Sequence, residues 1–221
     1  MRSAIKNIVS HTYKPLLEKY LSKKRIYKYG DIRLEIPPEV FHPGFFSSTQ
    51  LLLQYILELP LKEKKILELG AGSGLISMVA AGKGAKVIAI DINPIAVEYL
   101  EANSKQNNIQ FEIIHSDLFD DIAQQSFDII AINPPYYKKH PQTLLDHAWY
   151  CGENGEYFSK LFRQLAAYVH SNSEVIIVLC DGCDIEMIKS SAKQNDFTMN
   201  CMLTKQTIIE KNFIFKIEKT N

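Results

Sequence analysis

The sequence predicts an α/β fold in which a doubly wound, mostly parallel sheet carries helices on both of its faces. Apolar runs of strand length alternate with segments of helical periodicity from residue 65 towards the C-terminus, and this alternation is typical of parallel strands joined by crossover helices. The 221-residue chain is 46% hydrophobic, which is enough for one large core. No apolar run reaches about 18 residues, and the first residues lack the apolar stretch of a secretory signal. We therefore expect a cytoplasmic protein without membrane contacts.

Residues 1–40 are predicted to form an appendage, and residues 41–221 the main domain. A helical pattern interrupted at Pro15 comes first, and the strands Arg25–Lys28 and Ile32–Ile36 then flank a turn. The segment from Met1 to Lys28 carries eight lysines and arginines against one glutamate, a formal +7, so the remainder carries −7 because the whole chain sums to 0. Such a basic arm suits an RNA backbone, although a solvated helix face has the same composition.

A glycine-rich loop follows the first strand of the main domain. The apolar run 65–69 leads into Gly70-Ala71-Gly72-Ser73-Gly74, and a helical pattern begins at Leu75. Glycines let a ligand approach the backbone closely. The next strand, 85–90, ends in Asp91, about 20 residues past the first glycine, where a carboxylate suits a ribose diol. This unit predicts a cofactor that contains a nucleoside.

The spacing of the glycines distinguishes between such cofactors. A dinucleotide fingerprint is G-x-G-x-x-G, whereas here Gly74 comes one residue early and Leu75 occupies the third position. An oxidoreductase is therefore the weaker interpretation. S-adenosylmethionine, which has no pyrophosphate to bind, is the better ligand. Glu68, just before the loop, is placed to orient an amino group.

A second acidic residue follows the third strand, 111–115. Asp117 is our candidate acceptor for an adenine amino group, and a neighbouring backbone amide can donate to the ring. Asp117 can also cap a helix over residues 118–122. The two roles are compatible.

The fourth strand, 127–132, is an apolar run that ends in Asn133-Pro134-Pro135-Tyr136. Ligands of open α/β sheets bind at the carboxyl ends of strands, so Asn133 would point its carboxamide into a crevice while the prolines stiffen the turn. Taken alone, an Asn-Pro pair is also common in ordinary turns. The glycine loop upstream favours a site.

Together these motifs resemble a class I S-adenosylmethionine-dependent methyltransferase. The Asn-Pro-Pro-Tyr signature is similar to that of enzymes that methylate planar nitrogens, among them the HemK-like release-factor glutamine methyltransferases. The resemblance implies a Rossmann-like sheet of seven strands whose last strand is antiparallel. It also implies S-adenosylhomocysteine as the product of the cofactor, and a cofactor site formed by Thr49, Glu68, Gly70, Ala71, Gly72, Ser73, Gly74, Asp91, Ile92, Asp117, Leu118 and Asn133.

Two further segments resemble parts of this family. Residues 41–53 resemble the entry segment that covers the cofactor. Residues 149–155 resemble the tryptophan- and glycine-bearing loop that follows the signature, with Cys151 at a position where a glycine is expected.

Catalysis is assigned by this resemblance to Asn133, Pro134, Pro135 and Tyr136. The Asn133 side-chain oxygen and the Pro134 carbonyl would each accept one N–H of the target nitrogen, and Tyr136 would stack on its planar group. Because the lone pair of such a nitrogen is delocalised, positioning is expected to supply most of the rate. A Ser, Cys or His nucleophile is not required.

The identity of the methyl acceptor stays open at this point. The resemblance favours a protein glutamine, as in a release factor, and the alternative is an exocyclic amine of guanine or adenine in RNA or DNA, which a duplex must flip out. Release-factor enzymes of bacteria carry a larger N-terminal domain than the appendage predicted for this chain. An alternative of another class is a non-catalytic module that binds RNA or protein.

The remaining sequence completes the alternation of strands and helices. Cys180 and Cys183 form a C-x-x-C pair without a second pair, which we interpret as reduced thiols rather than a metal or redox site. No metal is predicted. The other predicted elements are helices over 94–107, 154–170 and 185–194 and strands over 174–180, 197–203 and 207–217.

Overall fold

The structure is a computed structural model that describes residues 20–207 and 210–220. The helical pattern predicted around Pro15 lies outside these residues, as do the basic side chains of Arg2, Lys6, Lys14 and Lys19. The predicted hairpin is confirmed, with strands β1 (Arg25–Tyr29) and β2 (Ile32–Ile36) paired antiparallel.

A seven-stranded sheet with five helices follows the hairpin in the described part of the chain. Its strands are β3 (Lys65–Leu69), β4 (Lys86–Asp91), β5 (Glu112–His115), β6 (Ile129–Ile132), β7 (Glu174–Cys180), β8 (Phe197–Gln206) and β9 (Lys211–Lys219). The helices are α1 (Ser47–Leu57), α2 (Leu75–Gly82), α3 (Pro94–Asn107), α4 (Glu156–Leu165) and α5 (Ile185–Gln194), with a 3₁₀ turn at Leu145–Ala148.

The strand order is β5-β4-β3-β6-β7-β9-β8. Five strands, β3 to β7, are parallel, and β9 runs antiparallel to both β7 and β8. The predicted sheet with an antiparallel last strand is therefore confirmed. Because β3 and β6 are neighbours, the chain builds the sheet outwards in one direction from β3 and in the other from β6. Ligands bind at such a switch point in open α/β sheets.

Apolar side chains cover both faces of this sheet, so the core has two layers. Along β3, Ile66 packs with residues of α1 and α2, whereas Leu67 and Leu69 pack with residues of α4 and α5. This alternation follows from the two-residue period of a strand. Helices α1, α2 and α3 therefore lie on one face of the sheet, and α4 and α5 lie on the other.

The hairpin docks on α3 through two asparagine side chains. Asn103 accepts from the Glu35 backbone N–H at 2.8 Å and donates to the Glu35 carbonyl at 3.0 Å. Asn107 makes the same pair of bonds to Arg33, at 2.8 Å each. The carboxamides thus satisfy the free edge of β2 as a neighbouring strand would.

Some predicted elements differ from those observed. No helix forms over 118–122, where the chain makes turns and Leu118 adopts φ 56°, so the interpretation of Asp117 as a helix cap is wrong. Helix α4 is shorter than predicted at both ends: it begins at Glu156, after Gly155 with φ 77°, and it ends at Leu165 instead of residue 170. Strand β8 extends to Gln206 and β9 begins only at Lys211, which differs from the predicted bounds.

Candidate active site

A cavity of about 470 Å³ lies where β3, β4 and β6 end. This size is within the range of small-molecule and cofactor sites. The glycine loop, the end of β4, the turn after β5 and the turn after β6 line part of it, and the segments 39–49 and 140–160 contribute most of the rest. The predicted cofactor and acceptor motifs are thus brought together at a single opening.

The three glycines of the loop have different roles. All have positive φ, which disfavours any other residue. A Cβ on Gly70 would meet nothing within 4 Å, and one on Gly72 would meet only Val40 at 3.9 Å. A Cβ on Gly74 would lie 2.3 Å from Leu100 Cδ2. Two glycines therefore leave space for a ligand, and the third allows α2, which it precedes, to pack on α3.

Two carboxylates lie buried beside this loop. Both Ser77 donors, the hydroxyl and the N–H at 2.8 Å, bind Glu68 Oε2, but burial dominates and raises the pKa of Glu68 to about 7. Asp91 accepts from the Gly72 N–H through Oδ2 and from the Asn93 N–H through Oδ1, both at 2.8 Å. Burial also raises the pKa of Asp91. Asp91 thus holds the glycine loop and Glu68 holds the first turn of α2, and both carboxyl groups still have unused lone pairs.

The charge of the cavity lining is strongly unbalanced. Lys160 is the only lysine or arginine among the described residues that line it. The carboxylates of the lining are Glu39, Glu68, Asp91, Asp117 and Glu156. An excess of negative charge in a partly enclosed site favours a cationic ligand.

Asp117 is paired with the lysine of α4. Lys160 Nζ lies 2.6 Å from Asp117 Oδ2 and 2.6 Å from Asp120 Oδ2. The Asp117 side chain is 47% exposed, so this pair is a surface one, with one carboxylate oxygen left for a ligand. Leu118 is buried in its left-handed conformation, and the Ser116 hydroxyl donates to its carbonyl at 2.9 Å. Such strain in a non-glycine residue is typical of ligand sites.

The Asn133 carboxamide is hydrogen-bonded at both ends. Its Nδ2 donates to Thr49 Oγ1 at 3.1 Å, and the Tyr136 hydroxyl donates to its Oδ1 at 2.6 Å. Burial raises the pKa of Tyr136 well above its ordinary value, so the phenol stays protonated and remains a donor. Pro134 and Pro135 are buried. The turn after β6 therefore presents one amide group of fixed orientation.

The segment after this turn folds back over the cavity. Both the Tyr136 and the Tyr137 N–H groups donate to the Trp149 carbonyl, at 3.0 and 2.8 Å. The Trp149 ring lies 5.2 Å from Phe41 and 5.0 Å from Phe46 between ring centroids. The two weaker sequence matches, residues 41–53 and 149–155, thus meet at the cavity wall, where Cys151 is buried.

Some lining residues were missed by sequence reasoning. Tyr157 and Lys160 lie one turn apart at the start of α4, and His147 lies on the 3₁₀ turn. The spacing of Tyr157 and Lys160 is compatible with one helix face, but nothing in the sequence indicates that Lys160 pairs with Asp117, 43 residues away.

Other site types find little support within the described residues. Cys180 and Cys183 are free, with their Sγ atoms 3.7 Å apart. No group of three or more His, Cys, Asp or Glu side chains is arranged to hold a metal ion in residues 20–207 and 210–220. Within the same ranges, no helix has both the length and the apolar character needed to cross a membrane.

Comparison with known proteins places this geometry in a family. Residues 32–217 match the model of the methyltransferase small domain. The chain is 35% identical to the putative protein N5-glutamine methyltransferase MJ0928 of Methanocaldococcus jannaschii over 153 residues, which are 66% of this chain and 75% of that protein. Other curated relatives are longer, and the chain spans between 14% and 56% of their length.

Two solved structures share the fold at low identity. One is the Mtq2–Trm112 complex of E. cuniculi, responsible for methylation of the eRF1 termination factor (TM-score 0.64, 20% identity, 82% of this chain and 99% of that one). The other is the T. thermophilus 16S rRNA N2 G1207 methyltransferase with AdoMet and guanosine (TM-score 0.64, 18% identity, 90% of this chain and 50% of that one). From the family match and the archaeal relative together, the chain belongs to the methyltransferase small domain family and is a methyltransferase.

Proposed function

We propose that this methyltransferase uses S-adenosylmethionine to methylate the side-chain amide nitrogen of a glutamine in a protein, such as a release factor. The observation that carries the proposal is the Asn133 carboxamide, held at both ends at the opening of the cavity. S-adenosylhomocysteine is then the second product.

The cavity fits a cationic nucleoside. Gly70 leaves open space where a side chain would stand, and Glu68 and Asp91 are buried carboxylates in the lining. Glu68 would hold an ammonium group, and Asp91 would accept the ribose hydroxyls. Ile92, Asp117 and Leu118 would surround the adenine. A bound S-adenosylmethionine supplies an electrophilic methyl group on a sulfonium centre.

The acceptor nitrogen would be held by two oxygens. Asn133 Oδ1 keeps one lone pair after accepting from Tyr136, and the Pro134 carbonyl supplies a second acceptor. Each would accept one N–H, so that the lone pair of the nitrogen points out of the amide plane. Well-oriented reactants recover up to about 7–11 kcal/mol of a barrier. The proton leaves after transfer, so no strong base is needed.

Two observations support a protein as the acceptor. The acidic lining is unfavourable for the phosphates that flank a nucleic-acid base. The archaeal relative, which the chain covers to 75% of its length, is named as a putative protein N5-glutamine methyltransferase. The amide group itself is neutral, so it is compatible with an acidic lining.

A base amine of RNA or DNA is the second candidate. It is favoured by the formal charge of +7 on the segment from Met1 to Lys28, which would hold a nucleic-acid backbone beside the site.

For either acceptor, we propose that residues 1–40 are an appendage to a catalytic domain of residues 41–221. We also propose that the enzyme works in the cytoplasm.

The test uses methyl-labelled S-adenosylmethionine and separated protein and RNA from cells that lack this chain. We expect label in protein that is recovered as N5-methylglutamine after enzymatic digestion, and none with Asn133→Ala. Label in RNA alone would select the second candidate. Binding of S-adenosylhomocysteine without transfer to either fraction would indicate a non-catalytic module.

A further inference from the structure

The two hydrogen bonds of Asn133 come from residues far apart in the sequence. Thr49 lies in the first turn of α1, 84 residues before Asn133, and is buried. Tyr136 lies three residues after it, with its ring packed against the core on the other face of the sheet. The carboxamide thus sits between two elements that are themselves fixed by the core.

The lengths of the two bonds fit one orientation of the amide. An O–H···O bond is typically about 2.7–2.8 Å long and an N–H···O bond about 2.9–3.0 Å. The 2.6 Å contact of Tyr136 fits a hydroxyl that donates to Oδ1, and the 3.1 Å contact of Thr49 fits an acceptor for Nδ2. A flipped carboxamide would place Nδ2 2.6 Å from the Tyr136 hydroxyl and Oδ1 3.1 Å from Thr49 Oγ1, which fits these typical lengths less well.

Orientation matters because the two ends of a carboxamide have opposite chemistry. Oδ1 accepts an N–H of the methyl acceptor, whereas Nδ2 would direct its own hydrogens at that N–H and repel it. The terminal torsion of asparagine is broad and roughly two-fold when nothing holds it. An unheld Asn133 would therefore spend part of its time in a form that cannot bind the acceptor.

We infer that Thr49 and Tyr136 are positioning residues that hold the Asn133 carboxamide with Oδ1 towards the acceptor nitrogen. This inference rests on the proposed methyl transfer and adds to it. It gives Thr49 a role on the acceptor side, where the sequence suggested a cofactor contact. It gives the Tyr136 hydroxyl a role separate from stacking by its ring.

The test compares Thr49→Val, which keeps the shape but removes the hydroxyl, with Thr49→Ser, which keeps the hydroxyl. Tyr136→Phe keeps the ring and removes only the donor. We expect Thr49→Val and Tyr136→Phe each to lower kcat by about 10- to 100-fold, the scale of a small misplacement of a reacting group. Thr49→Ser should stay within about threefold of the wild type, and affinity for S-adenosylhomocysteine by calorimetry should change by less than about threefold.

A control is Thr198→Val on strand β8, which removes an exposed hydroxyl that donates to the Glu218 carbonyl of β9. It should leave kcat unchanged. If Thr49→Val lost kcat and cofactor affinity equally, Thr49 would be a cofactor-binding residue, and the inference would be overturned. Full activity of Thr49→Val would also overturn it.

A second readout does not depend on turnover and separates this inference from the proposed function. By NMR, the side-chain NH₂ protons of Asn133 should exchange with water more slowly than those of the exposed Asn172, and Thr49→Val should remove that protection. If the Asn133 NH₂ protons of the wild type exchanged as fast as those of Asn172, Thr49 and Tyr136 would not hold the Asn133 carboxamide. This result would contradict the inference even if no methyl acceptor had been found.

Discussion

The cofactor half and the acceptor half of the cavity are built in different ways. Most of the cofactor half comes from one continuous stretch, from Glu68 to Asn93, to which the turn after β5 adds Asp117 and Leu118. It relies on backbone amides that Asp91 holds. The acceptor half joins α1, the turn after β6 and the loop that folds back to Trp149. We therefore expect cofactor binding to depend mainly on local sequence, and selection of the acceptor to depend on tertiary contacts.

The halves also differ in charge. Buried carboxylates dominate the cofactor half, while the acceptor half offers a neutral carboxamide and a phenol that stays protonated. This difference matches a cationic donor and a neutral acceptor. If it is correct, changes in one half should leave the function of the other largely intact.

The largest expected effect is that of Asn133→Ala. Loss of the carboxamide should lower single-turnover methyl transfer by at least about 10³-fold, because positioning is the main source of rate. Affinity for S-adenosylhomocysteine by calorimetry should stay within about threefold. An equal loss of both would show that Asn133 belongs to the cofactor half.

Alanine substitutions at two glycines of the loop should have the next largest effects, one on stability and the other on cofactor affinity. Gly74→Ala should cost about 2–4 kcal/mol of unfolding free energy, since its Cβ would lie 2.3 Å from Leu100 Cδ2 in addition to the strain of φ 77°. Gly70→Ala, with no atom within 4 Å, should cost only about 1–2 kcal/mol. Cofactor affinity should fall in Gly70→Ala. Thermal unfolding with and without S-adenosylhomocysteine separates the two effects.

The pH dependence of the cofactor half follows from Glu68. Its pKa is raised from 4.5 to about 7, so the stability contributed by the neutral acid is fully present below pH 4.5 and is lost as the pH rises through 7, by roughly 3 kcal/mol in total. Affinity for the ammonium of the cofactor should change in the opposite direction and rise through pH 7. Calorimetric titrations from pH 5.5 to 8.5 measure this. Glu68→Gln should remove both dependences, and a variant that retains them would refute the assignment.

The smallest expected effect is that of Lys160→Met. The Asp117 side chain of this pair is 47% exposed, so removal of the pair should cost only about 0.2–1 kcal/mol of stability. Cofactor affinity should change by less than about fivefold, and kcat should stay the same. Ser159→Ala, on the exposed side of the same helix, is a matched control. A large fall in kcat would mean that Lys160 reaches the acceptor.

What the sequence could predict follows the same division. The glycine loop, the carboxylates of Glu68 and Asp91 and the Asn133 turn are each local, and the structure brings them to one cavity. The contact between Thr49 and Asn133 depends on how α1 packs, and no local pattern encodes it. The helix predicted after Asp117 is absent because Leu118 takes a left-handed conformation, which propensity alone would not indicate.

The most direct test of the account is a crystal structure of the protein with S-adenosylhomocysteine. We predict that the sulfur lies about 6 Å from Asn133 Oδ1. An S–CH₃ bond of about 1.8 Å and a near-attack distance of about 3–3.5 Å place the sulfur about 5 Å from the acceptor nitrogen, and the hydrogen bond of about 2.9 Å from this nitrogen to Oδ1 runs roughly perpendicular to that line. Open space should remain there for the acceptor nitrogen. A sulfur more than about 10 Å from Oδ1, or protein atoms filling that space, would contradict the central claim that the two halves face each other across one reacting position.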